Sequence, residues 1–219
     1  MTLAHSARTS PRAARFWNRI AKKYARSPIS DEASYQRKLE ETQALMRPDM
    51  QVLEFGCGTG STAITHAAHV TQITAIDISH EMIAIAQHKA AEAQIENIDF
   101  IVSDIAEFAG AEQKYDMILG LSILHLTPDR DATLKSVYEM LEPGGYFISS
   151  TPCIADIMPV FKLIAGAGYT LGLLPLVRVF GRGAFEQSIV NAGFEIETAW
   201  QPGPKSSLFV IARKPLTAS

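Results

Sequence analysis

Cysteine is scarce in this chain: Cys57 and Cys153 are the only two among 219 residues. They have no C-x-x-C spacing and no histidine at ligand spacing, so a structural zinc site is not expected. So few thiols fit a reducing compartment, and a cytoplasmic location is the expectation. No secretory apolar segment opens the chain. Long hydrophobic runs are also missing. The most apolar window, Leu163 to Val177, has 15 residues and is broken by Gly166, Gly168, Gly172 and Pro175. A membrane-spanning helix needs roughly 20 apolar residues, so no stable span is expected. Nor is there a dominant charge. The chain carries 20 basic and 23 acidic residues, net −3, unlike a protein built to neutralise a nucleic-acid backbone. The N-terminus is locally basic (Arg8, Arg12, Arg15, Arg19, Lys22, Lys23, Arg26) but lacks interleaved aromatics. It reads as a solvated helix face plus a tail, and no nucleic-acid partner is expected.

What is present is an alternation of apolar runs and amphipathic stretches. Residues 1–14 are polar and small, without periodicity, and are expected to form a disordered tail ahead of one domain spanning 15–219. Two helices are expected within 15–47, at 15–26 and 31–46, the second ending before Pro48. Strands then follow at 51–55, 72–77, 98–102, 115–119 and 145–151. Helices are expected at 60–69, 79–93 and 129–141. Ser79 is the N-cap of the second of these. Such alternation implies a parallel sheet with right-handed crossovers. After Thr151 the pattern changes. Residues 152–180 are apolar and rich in glycine and proline, too long for a plain connection. A helix at 182–192 and strands at 194–200 and 208–212 close the chain, the two strands suiting an antiparallel hairpin.

The chemistry concentrates at Glu54-Phe55-Gly56-Cys57-Gly58-Thr59-Gly60. A buried strand ends in an acid and meets three glycines at alternate positions. A turn of this kind lets backbone approach a bound molecule closely. It sits at a strand's carboxyl end, where open α/β sheets place ligands. The dinucleotide fingerprint is G-x-G-x-x-G, and its last glycine would fall at Ser61. The acid two residues before Gly56 would repel a pyrophosphate and attract an ammonium group. The turn therefore suits a nucleoside with a cationic, amino-acid-like tail. Asp77, at the end of the second strand, suits both hydroxyls of a ribose, which such a nucleoside shares with NAD.

This pattern closely resembles the cofactor loop of class I S-adenosylmethionine-dependent methyltransferases, E/D-x-G-x-G-x-G. The resemblance continues in order through Ile73–Ser79, Phe100–Ile105, Tyr115–Gly120 and the Leu141-Glu142-Pro143-Gly144-Gly145 turn, covering about residues 16 to 151. It implies a Rossmann-like, doubly wound α/β fold. The sheet would have seven strands, mostly parallel, with an antiparallel last strand. It implies S-adenosyl-L-methionine as cofactor and S-adenosyl-L-homocysteine as product. The resemblance assigns the cofactor to Glu54, Gly56, Cys57, Gly58, Thr59 and Gly60 at the loop and Asp77 at the ribose. Ile78 and Met82 would flank the adenine; Ser103, Asp104 and Ile105 would meet its polar edge. Gly120 and Leu121 would lie along the methionine tail. Tyr24 lies in Phe16-Trp17-Asn18-x-x-Ala21-x-x-Tyr24, which resembles a family segment whose tyrosine closes over the cofactor; Asn18 and Ala25 stand where the family often has acids.

Methyl transfer to an acceptor that bears a proton needs a base, and His125, in Leu124-His125-Leu126, is the candidate. Neither a Pro-Cys nucleophile nor an N-P-P-Y motif follows the fourth strand, which points to a small-molecule acceptor. The 152–180 insertion would be a lid over the acceptor, forming an apolar pocket for a lipophilic or aromatic molecule. It would alternatively give peripheral membrane contact, or pack on the core or in a dimer. Two other readings are an NAD(P)-dependent oxidoreductase and a non-catalytic cofactor-binding protein of the same fold. A monomer or a homodimer would serve each.

Overall fold

The computed structural model describes residues 11–109, 113–158, 160–170 and 174–216. Seven strands are present: β1 (Gln51–Phe55), β2 (Gln72–Asp77), β3 (Ile98–Val102), β4 (Tyr115–Leu121), β5 (Leu141–Thr151), β6 (Glu195–Trp200) and β7 (Leu208–Arg213). The helices are α1 (Pro11–Tyr24), α2 (Glu32–Gln43), α3 (Ser61–His66), α4 (His80–Glu92), α5 (Ile105–Phe108), α6 (Arg130–Met140), α7 (Ile154–Ile157), α8 (Phe161–Thr170) and α9 (Arg182–Asn191).

The sheet order is β3-β2-β1-β4-β5-β7-β6. Strands β1 to β5 pair in parallel. β7 runs antiparallel between β5 and β6. The chain builds outward from β1 to β3, then returns to lay β4 on the other side of β1. This reversal opens a crevice at the carboxyl ends of β1 and β4, where such sheets bind ligands.

Alternate residues of β1 feed opposite faces of the sheet. Leu53 and Phe55 join one core with Ile76, Ile118 and Phe147. Val52 joins the other with Ile73, Ala75, Met117 and Leu119. Most of these side chains have no exposed surface, as a parallel sheet covered on both faces requires.

Several expected boundaries move. α1 begins at Pro11, ahead of the expected Arg15, because Ala13 is drawn into the interior; proline is compatible with a helix's first turn. The rest of the expected tail, residues 1–10, lies outside the described residues. The helix expected at 60–69 shortens to α3 and tightens into a 3-10 turn at Ala67–His69. β5 takes in the Leu141–Gly145 turn and extends four residues earlier than expected. The insertion at 152–180 contains α7 and α8, and residues 175–180 have no regular secondary structure.

Candidate active site

The floor of the crevice is acidic. Glu54, the penultimate residue of β1, is almost completely buried, 3% exposed. Its Oε2 has no hydrogen-bond partner among the described residues. Burial first, then the nearby Asp77, push its carboxyl up to about 8. A bare buried carboxylate is unfavourable, so the group takes up a proton unless a cation arrives. Asp77 is better satisfied. Its Oδ2 accepts from the Gly58 N–H at 2.9 Å and its Oδ1 from the Ser79 N–H at 2.8 Å. Burial still raises its pKa, against the lowering effect of those two bonds.

The loop above this floor has Gly56, Gly58 and Gly60 at φ of 67°, 54° and 73°, a region that side-chain-bearing residues avoid. A Cβ on Gly56 would lie 2.6 Å from Ile123, and one on Gly60 2.8 Å from Ala86. A Cβ on Gly58 would approach only the Tyr24 ring, at 3.8 Å, and would otherwise project into the crevice. Gly56 and Gly60 are thus required by neighbouring protein, while Gly58 keeps space clear.

Two cavities share this loop. The first, about 100 Å³, is lined by Asp77, Ile78, Met82, Ser103, Asp104 and Ile105 on one side and by Leu121, Ser122, Ile123, Leu126 and Thr127 on the other. α1 roofs it with Ala13, Trp17 and Tyr24, and the insertion adds Pro175 and Leu176. The second, about 620 Å³, runs from Glu54, Cys57 and Thr59 outward between α2 and the ends of β5 and β7. Tyr24, Gly56, Gly58, Leu121 and Ser122 line both.

The residues expected at the cofactor thus divide. Tyr24, Glu54, Gly56, Cys57, Gly58, Thr59, Asp77, Ile78, Met82, Ser103, Asp104, Ile105 and Leu121 border the two cavities. Gly60 and Gly120 border neither. Gly60 ends the loop against α4, and a Cβ on Gly120 would lie 2.5 Å from the Phe55 ring, so neighbouring protein leaves no room for a side chain at either. Asp104 also caps α5, accepting from the Glu107 N–H at 2.8 Å. The Cys57 thiol is held well above its ordinary range by burial and by Glu54 and Asp77.

His125 lies on the 3-10 turn Leu124–Leu126. Its carbonyl accepts from the Arg178 N–H at 2.7 Å. Its ring borders neither cavity, its Nδ1 is buried without a partner among the described residues, and burial lowers its pKa to about 4. The imidazole is therefore neutral at pH 7 and only weakly basic.

Sequence reasoning missed the roles of several residues around the site. Asn18 ties the roof down: its Oδ1 accepts from Ser79 Oγ at 2.7 Å, fixing α1 to the start of α4. Lys38 lines the second cavity, its Nζ donating to Ser150 Oγ at 3.0 Å, and burial lowers its pKa. Ser122 has φ 56° and donates its N–H to the Ser150 carbonyl. No local motif marks Lys38 or Ser150, because they are 112 residues apart.

The donor set fits S-adenosylmethionine. The unpartnered Glu54 oxygen suits an ammonium, the Asp77 carboxylate suits a ribose, and the space over Gly58 admits a chain passing close to the backbone. A sequence profile described as "Methyltransferase domain" matches residues 46–171, more than half of the chain. The chain belongs to this methyltransferase family. A ubiquinone biosynthesis O-methyltransferase of Coxiella burnetii is 31% identical over 124 residues, 57% of this chain and 52% of the relative. The chain thus aligns with about half the length of the curated relatives it matches. Among solved structures, the magnesium protoporphyrin IX methyltransferase of Synechocystis with bound S-adenosylmethionine superposes with a TM-score of 0.70. It is 17% identical, and the match covers 98% of this chain and all of that one. The cyclase SpnF superposes with a TM-score of 0.75 at 17% identity, covering 96% and 98%. At such identities the likeness is one of fold, and the cyclase shows that the fold hosts other chemistry.

Proposed function

We propose that this methyltransferase-family chain transfers the methyl group of S-adenosylmethionine to a small lipophilic or aromatic acceptor. The observation that carries the reading is the pair of buried acids beneath the glycine loop, one with an oxygen left unpartnered. That floor suits a nucleoside with a cationic tail and disfavours a dinucleotide's pyrophosphate. When bound, the cofactor supplies a methyl group already activated by its sulfonium. The protein's task is then alignment, which supplies most of the acceleration in such a displacement. Glu54 and Asp77 fix the two ends of the cofactor, and Trp17, Leu126, Pro175 and Leu176 exclude water from the apolar cavity. A base role for His125 requires its ring to turn into the crevice once ligands bind. If His125→Ala leaves turnover unchanged, that role is removed.

The apolar contribution of Pro175 and Leu176 supports a lipophilic acceptor, as does the name of the ubiquinone-pathway relative. The 152–180 insertion would then be the acceptor's cover, with peripheral membrane contact as its second use; Met158 and Val160 are 52% and 68% exposed. Residues 171–173 of that insertion lie outside the described residues. No helix among the described residues is long and apolar enough to cross a membrane. No described cluster of side chains would hold a metal. Two free buried cysteines suit a cytoplasmic enzyme.

The test is a thermal shift with S-adenosylmethionine, S-adenosylhomocysteine and NAD in parallel. Ligand at about 100 times its Kd adds about 2.7 kcal/mol. A shift with both adenosyl compounds and none with NAD supports the reading. A shift with NAD alone overturns it.

A further inference from the structure

The charge of this chain is unevenly divided. Residues 1–30 hold seven basic side chains and no acid, and the first acid is Asp31. The remaining residues hold 13 basic and 23 acidic side chains. The basic excess is concentrated on α1 and the turn that continues it, where Ala25 and Arg26 N–H groups still bond back to Ala21 and Lys23.

At 100° per residue, Arg15, Arg19, Lys22 and Arg26 fall in one narrow stripe along this helix, with Lys23 at its margin. All five are exposed. None has a carboxylate partner among the described residues. Several basic side chains elsewhere on the surface are paired with acids, as in Arg37–Glu41, Arg47–Asp49, Lys135–Glu139 and Arg182–Glu186. Like charges three and four residues apart repel and destabilise a helix, so the stripe opposes the helix that carries it until an anion covers it.

The opposite side of the same helix is already occupied. Ala13, Trp17 and Tyr24 roof the first cavity, and Ala21 is fully buried. α1 therefore has one face on the cofactor cavity and one basic face outward.

We propose that the basic stripe of α1 docks on an anionic lipid surface, setting the roof of the active site against the bilayer. Charge complementarity carries the choice: a row of four cations about 16 Å long matches a plane of anionic headgroups. Ile29, three residues beyond Arg26, is 47% exposed and offers an apolar group to the headgroup boundary. The stripe itself contains no aromatic residue on which nucleic-acid bases would stack. Docking of this kind leaves one helix diameter between the bilayer and the cavity, whichever acceptor the enzyme takes.

The test is flotation of the full chain with phosphatidylcholine vesicles, with and without phosphatidylglycerol. The wild type is expected to float only with the anionic vesicles and to be released by salt as screening sets in. Each basic residue contributes about a fivefold change in partitioning, so Arg15→Gln/Arg19→Gln/Lys22→Gln/Arg26→Gln should weaken it several hundredfold. Its Kd for S-adenosylhomocysteine should match wild type, which establishes that it folds. Arg15→Gln/Arg19→Gln is compared with Arg47→Gln/Lys135→Gln, which removes the same charge elsewhere. Loss confined to the α1 variant supports the proposal. Equal loss in both variants, equal binding to neutral vesicles, or tighter binding to transfer RNA at the same salt overturns it.

Discussion

Binding of S-adenosylhomocysteine should depend on pH in a way set by Glu54. In the ligand-free protein this carboxyl titrates at about 8. A ligand's ammonium is best met by the ionised form, and the amino group of a free amino acid stays protonated well above pH 8. Affinity therefore follows the fraction of molecules in which the acid is ionised. That fraction is about 0.01 at pH 6 and about 0.5 at pH 8, so the Kd should tighten roughly fiftyfold between them. The gain should level off above pH 8, where the acid is already ionised. Isothermal titration in two buffers of different ionisation enthalpy reads the protons directly. Close to one proton should be released per ligand at pH 6, falling to about half a proton at pH 8. Glu54→Gln should bind more weakly and lose the acidic limb. The same substitution has a stability consequence of opposite sense. The native acid holds a proton between pH 4.5 and about 8 that the unfolded chain has released, so its contribution falls as pH rises through that window. Ligand-free Glu54→Gln should therefore be more stable than wild type at pH 9, by at most about 5 kcal/mol. A Kd that is flat from pH 6 to 8, or an acidic limb that survives in Glu54→Gln, would refute this account.

Other outcomes follow from single contacts. Gly58→Ala places a Cβ in the crevice at φ 54°; it should cost about 1 kcal/mol of stability and at least tenfold in S-adenosylhomocysteine affinity, read by melting and titration. Gly120→Ala meets the Phe55 ring at 2.5 Å and should lose about 1–3 kcal/mol in denaturant melts, with ligand affinity changing far less than in Gly58→Ala. His66 and His125 are both held neutral by burial, with pKa lowered to about 4. Below the unfolded value of 6.5 the unfolded chain binds protons that the native one does not. Stability should thus fall between pH 6.5 and 4, by up to about 3 kcal/mol for each histidine, and His66→Gln should flatten that fall. Leu176→Ala should raise an apolar acceptor's KM severalfold while leaving the cofactor's Kd unchanged, because the side chain borders the cavity from the insertion side.

Much of this protein is decided locally. The periods of its apolar residues dictate strands at 51–55, 72–77 and 98–102, which form at those positions; the first two are buried on both faces, which leaves little alternative register, and the third pairs along β2 at the sheet edge. Ser79 caps α4 through its own side chain, and the glycine spacing places left-handed backbone at the head of α3, because both depend only on near neighbours. Other features require the folded chain. That Gly60 and Gly120 have no room for a side chain is decided by Ala86, Phe100 and Phe55, which the fold brings beside them. His125 looks like a base, but tertiary packing buries its Nδ1 and leaves it off the lining of both cavities. Lys38 and Ser150 meet only because α2 lies over the end of β5. Leu176 and Trp17 lie in segments that the resemblance sets near the cofactor and acceptor, but only the fold brings the two side chains to one cavity. The sequence alone determined the sheet, its nucleotide loop and the two acids, since strand period, turn chemistry and a carboxylate at a strand end are properties of short segments. Only the tertiary structure decided which residues face the crevice and what Glu54 titrates at, since burial and long-range proximity arise when distant segments close over one another.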